Sequence, residues 1–152
     1  MVSFLLALVI SSASFCPAVQ PPVDGPVVAP FAPIGRYAGH WGVDFAAPPG
    51  AAVRTPAAGR VTFAGSVAGR LSVSIDLGRG MVTTVSYLSE VVARRGDRVA
   101  SADLVARSGR AHDLDAVHLS LRIDGTYVDP GLLFSCRAGD ISDALWLTTP
   151  PD

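Results

Sequence analysis

Residues Ala116 to Asp124 read AVHLSLRID, and the period of that stretch decides the fold. Val117, Leu119, Leu121 and Ile123 alternate with Ala116, His118, Ser120 and Arg122. Side chains with a period of two belong to a strand that has an apolar face for the core and a more polar face for water or a site. Working outward, Ala51–Thr55, Arg60–Ala64, Leu71–Leu77, Met81–Leu88 and Asp103–Arg107 repeat the pattern, with Gly-containing turns between them. Short strands at this spacing predict an all-β, antiparallel sandwich or barrel-like domain. Composition agrees, since 15 Gly and 12 Pro in 152 residues punctuate the chain too often for a helical bundle. Basic and acidic residues number 12 and 13 and nearly cancel. That balance argues against a nucleic-acid-binding domain held by phosphate contacts. Two Cys, Cys16 and Cys136, are too few for a disulfide scaffold.

The N-terminal region reads as export followed by a spacer. Phe4–Ile10 (FLLALVI) is too short to span a membrane but suits the apolar part of a secretory signal, with small residues near Ala13 and Ala18 for cleavage. No Lys or Arg precedes it. Residues 1–18 are therefore read as a signal peptide leading to a bacterial cell wall or periplasm. The stretch Pro17–Pro33 (PAVQPPVDGPVVAPFAP) is six-seventeenths proline, which predicts an extended linker over 19–33, outside the sheet. A domain over 34–135 follows, then a tail over 136–152 with one short helix around Ile141–Leu145.

Three His are present: His40, His112 and His118. His40 and Asp44 bracket HWGVD. Four residues of straight strand span about 13 Å, too far for both to reach one ion, whereas a tight bend at Gly42 brings them together. Imidazole plus carboxylate suits zinc, which in catalytic sites takes three protein ligands and keeps one position open. His118, on the outer face of its strand, is the natural third ligand. Surface or capping roles fit the same residues, and spacing alone does not choose.

The order of motifs along the chain does choose. The sequence resembles the lysostaphin- or LytM-type zinc metallopeptidases, the murein endopeptidases of metallopeptidase family twenty-three. Their opening HxGxDfaapxGtpV stands here as HWGVDFAAPPGAAV, His40 to Val53. The small-rich turn ending GxV stands as TPAAGRV, Thr55 to Val61. Their later hairpin matches at Gly96, Val99, Val105 and Gly109, with Ala102 and Ala106 at two Gly positions. The closing HxHFEVRxNGxxVDP corresponds without gaps to AVHLSLRIDGTYVDP, Ala116 to Pro130.

The resemblance implies a LytM-type antiparallel β fold, a groove on one sheet and one zinc held by His40, Asp44 and His118. It also implies loss at two catalytic positions. The first His of HxH, which takes the proton of the attacking water, falls on Ala116. The family segment YxHLS is VSYLS here, so its Tyr is Val85 and its oxyanion-holding His is Tyr87. A second alignment shifts His118 to the first His and makes Ser120 the lost ligand, at the cost of a two-residue offset. A positioned base contributes about 10²–10⁴-fold and an oxyanion donor about 10²–10³-fold. The sequence therefore favours a degenerate, zinc-containing module that binds peptidoglycan or regulates a cell-wall hydrolase. The alternative is a divergent endopeptidase, cleaving peptidoglycan stem or cross-bridge peptides, with Tyr87 or His112 as substitute catalytic groups. On the gap-free match, Ala116→His is the change that should raise activity, and metal binding should not depend on His112.

Overall fold

The structure, a computed structural model, describes residues 19–36 and 38–135. The described residues form twelve strands and one four-residue helix. The strands are β1 (Val27–Ala29), β2 (Ala32–Ile34), β3 (Ala38–His40), β4 (Val43–Ala46), β5 (Ala52–Arg54), β6 (Gly59–Val67), β7 (Arg70–Gly78), β8 (Met81–Val91), β9 (Arg98–Val99), β10 (Leu104–Ser108), β11 (Ala116–Ile123) and β12 (Thr126–Val128). Helix α1 (Gly131–Phe134) follows β12. All of the pairings are antiparallel. The main sheet runs β1-β4-β11-β8-β7-β6-β9, with β10 bridging β5 and β8 and β12 beside β11. This is the all-β antiparallel fold that the alternation predicts.

Packing follows the period of two. Val117 and Leu119 of β11 are buried in one cluster with Val43 and Phe45 of β4 and Val85 of β8, while buried Leu121 packs in a second with Val128 and Leu133. Each such side chain taken fully out of water stabilises the fold by roughly 1.5–3 kcal/mol. The other face of β11 is wet only in part: Ala116 is fully buried and Ser120 nearly so, while His118 is partly exposed. Strands β4 and β8 flank β11 on both sides.

The described part of the proline-rich stretch does not stay outside the sheet. Its β1 pairs with β4, Val27 opposite Phe45 and Ala29 opposite Asp44, and β2 pairs with β3. Proline is tolerated because these are edge strands, where one side of the backbone needs no ladder partner. Further bonds pin the segment: Gln20 N–H to Pro56 O at 3.0 Å, Arg54 N–H to Pro22 O at 2.9 Å and Ala46 N–H to Pro26 O at 2.9 Å. The expected signal over 1–18, the expected helix around Ile141–Leu145, and both Cys lie outside the described residues.

Candidate metal centre

Three sheet elements converge on Asp44. His40 ends β3, a bend at Trp41–Gly42 turns the chain, and Asp44 follows in β4. The bend brings His40 Nε2 to 3.0 Å from Asp44 Oδ1. His118 stands opposite Asp44 in the β4–β11 register, so both side chains share one face, and His118 Nδ1 lies 2.7 Å from Asp44 Oδ1. His40 Nε2 and His118 Nδ1 are 3.1 Å apart. The other ring nitrogen of His40, Nδ1, sits 2.7 Å from the Pro30 carbonyl oxygen. An N–H donated there leaves the Nε2 lone pair facing the cluster, the arrangement that orients a ligating imidazole.

Gly42 is the residue that makes room. A Cβ at this position would lie 2.5 Å from two ring atoms of His118 and would run into the Leu119 carbonyl. Gly42→Ala is therefore expected to push His118 off the cluster and weaken zinc binding by about 10–100-fold, the range for disturbing groups that orient a ligand. Isothermal titration with zinc checks this; unchanged affinity would contradict the packing argument.

His112 joins the cluster from the loop before β11. Its Nδ1 lies 2.7 Å from Asp44 Oδ2, the carboxylate oxygen that His40 and His118 do not use. Its Nε2 lies 3.0 Å from the Tyr87 hydroxyl. The ligand atoms of His40, Asp44, His112 and His118 all fall within 4.8 Å of one another, so the four form a group that could hold a metal ion. Asp44 has no exposed surface. Burial pushes its carboxyl up, but hydrogen bonds from His118 and His112 and the charges of His118 and His40 outweigh this. The net result lowers it from 3.8 to about 2. A buried carboxylate held ionised by three imidazoles suits a divalent cation.

Ala116, where the motif match sets the family base, is fully buried against β4, opposite Ala46. The expectation that an imidazole there restores activity meets a packing obstacle. Ala116→His is expected to destabilise the domain by about 1–3 kcal/mol through overpacking. Thermal unfolding checks it; an unchanged midpoint would show that the strand yields. Val85, at the family Tyr position, is likewise fully buried. The Pro30 contact carries no sequence signal, because a backbone carbonyl makes it.

The fold and site together define a class: an antiparallel β domain with a sheet-borne His–Asp cluster able to hold a metal. The model for Peptidase family M23 matches residues 38–130, and the chain belongs to that family. Among similar solved structures, an M23-type protein from Pseudomonas aeruginosa is 28% identical with a TM-score of 0.65, covering 80% of this chain and 51% of its own. The chain thus spans about half the length of that structure. A substituted catalytic domain of the prophage-encoded M23 protein EnpA from Enterococcus faecalis is 28% identical with a TM-score of 0.61, covering 75% of this chain and 96% of its own. The antimicrobial peptidase lysostaphin from Staphylococcus simulans shares the fold, with a TM-score of 0.69 and 21% identity over 91% of this chain and 61% of its own.

Proposed function

We propose that this domain is a zinc-dependent endopeptidase of bacterial peptidoglycan peptides in which His112, recruited from a loop, replaces the base missing at Ala116. The observation that carries this reading is the placement of His112 on Asp44 Oδ2, with its far nitrogen turned to Tyr87. His40, Asp44 and His118 would hold the ion, through donor atoms 2.7–3.1 Å apart on one side of the carboxylate. Zinc, when bound, polarises a carbonyl and acidifies water. The remaining work falls to the chain itself. His112 accepts a proton at Nε2, the nitrogen that the Tyr87 hydroxyl holds in place, and Asp44 Oδ2 steadies the imidazolium that results. Membership of family M23 supports the substrate class.

The sequence favoured a non-catalytic module that binds peptidoglycan or serves a hydrolase partner. One observation keeps that reading in view: His112 lies close enough to the other three to complete a closed, four-ligand zinc site, the form taken by structural zinc. Zinc content of the purified domain, measured together with release of peptides from peptidoglycan, separates the two. One zinc per chain with hydrolysis supports the peptidase; one zinc without hydrolysis supports the module; neither metal nor hydrolysis overturns both. Action on peptidoglycan would take place outside the cytoplasm, and we propose that residues 1–18 direct export. N-terminal sequencing should find the mature chain beginning between about Ser14 and Pro21, and an intact Met1 would overturn that part.

A further inference from the structure

Two residues at the site stand in backbone conformations that their side chains resist. Tyr87 has φ of 63°. It is the extra residue of a bulge in β8: Ser86 stands opposite Ser72 and Leu88 opposite Leu71, so Tyr87 faces no partner. In such a bulge the left-handed residue is ordinarily Gly, and for a bulky side chain this φ is a true outlier. His112 and Asp113 have φ of 51° and 66°. They are the central pair of a two-residue turn closed by both Ala111–Leu114 backbone hydrogen bonds, at 3.0 and 2.8 Å. That turn favours Asn-Gly or Asp-Gly. Left-handed backbone at such residues persists where the surroundings hold it, and it gathers at functional sites.

The bulge and the turn are packed together. Gly109, at the root of the His112 loop, lies so close that a Cβ there would be 2.5 Å from the Tyr87 carbonyl oxygen. The Tyr87 and His112 rings are 4.8 Å apart, and the Arg70 guanidinium lies 5.0 Å from the Tyr87 ring centroid. Hydrogen-bond direction then follows from donor counting. Ionised Asp44 only accepts, so His112 Nδ1 carries the hydrogen of the 2.7 Å bond. A neutral imidazole has one N–H, so Nε2 accepts and the Tyr87 hydroxyl donates across 3.0 Å.

We propose that Tyr87 is a positioning residue: its left-handed bulge exists to aim the hydroxyl at His112 Nε2, holding the ring in place on Asp44, which itself sets the Nδ1–H tautomer. The effect on rate rests on His112 being the proton acceptor; the hydrogen bond and the placement of the ring do not. The test is a proton–nitrogen correlation spectrum of the His112 ring in the full chain, metal-free and with zinc added, assigned by difference from His112→Ala. The unmodified protein should show one protonated Nδ1 and one lone-pair Nε2. Tyr87→Phe keeps the ring and removes the hydroxyl. It should shift the Nε2 signal to that of an unbonded lone pair, broaden the Nδ1–H signal as the ring loosens on Asp44, and lower kcat by roughly 10–100-fold with KM nearly unchanged. Tyr87→Gly suits the left-handed backbone and guards against a folding defect; it should show the same spectral change. Unchanged His112 ring signals in both variants overturn the proposal. An inert unmodified protein overturns the peptidase reading instead, and the nitrogen spectra still decide the role of Tyr87.

Discussion

Replacing His112 by Ala is expected to lower peptidoglycan-peptide cleavage by the zinc-loaded domain about 10²–10⁴-fold, the usual contribution of a positioned general base. Among the described residues there are two other His, His40 and His118, and both nitrogens that face Asp44 Oδ1 belong to them. His112 alone meets Oδ2 and turns its second nitrogen outward, to Tyr87. Its imidazole is also 44% exposed, open enough to be reached from solvent. The change should appear in kcat/KM on a labelled cross-bridge peptide, with zinc content measured on the same sample. If cleavage persists at full rate, His112 is not the base and the peptidase reading needs another proton acceptor. If zinc is lost in step with activity, His112 is a ligand and the closed-site reading takes its place.

The second large effect concerns the metal. His118→Ala and Asp44→Ala should each weaken zinc binding by more than about 100-fold, beyond the 10–100-fold typical of losing an outer partner. His112→Ala should stay within that outer-partner range, because its contact is to the oxygen away from His40 and His118. The sequence gives no reason for His112→Ala to lower occupancy as His118→Ala does; the His112 bond to Asp44 adds the smaller effect. Acid should release the ion at a pH set by imidazole. The Asp44 carboxyl is lowered to about 2, so it remains ionised while the medium falls from pH 7 to 4. Zinc needs neutral imidazoles, so occupancy should fall as pH drops below about 6. In the metal-free protein the sign is that of a depressed carboxylate. Its stabilising contribution is full above 3.8 and is lost as pH falls toward about 2. Equilibrium dialysis across pH 4 to 8 checks the release. Zinc retained down to pH 4, or equal loss in His112→Ala and His118→Ala, would contradict the ligand assignment.

The longer strands were legible because alternation is local. Arg60–Ala64, Leu71–Leu77, Met81–Leu88 and Ala116–Asp124 each carry enough apolar residues at period two to mark a core face, and β6, β7, β8 and β11 occupy those stretches. Strands β1, β2, β9 and β12 span two or three residues each, too few to show a period. Proline in 19–33 signals a lack of donors, which a linker and an edge strand satisfy equally well; only the neighbour β4 decides between them.

The same division runs through the site. By itself the sequence determined the antiparallel β class, through its period, and it named His40, Asp44 and His118, through the order of its motifs. It also determined that Ala116 carries no base, since that depends on residue type alone. Tertiary structure alone decided the place of His112, whose loop neighbours read as solvated polar residues and whose partners Asp44 and Tyr87 lie 68 and 25 residues away. It alone decided that Gly42 leaves space for the His118 ring, that the Pro30 carbonyl orients His40, and that Tyr87 stands in a left-handed bulge. Side-chain period and residue type are properties of neighbouring residues and can be read in order. Distances across a sheet depend on register, bulges and turns, which are set only when distant strands pair.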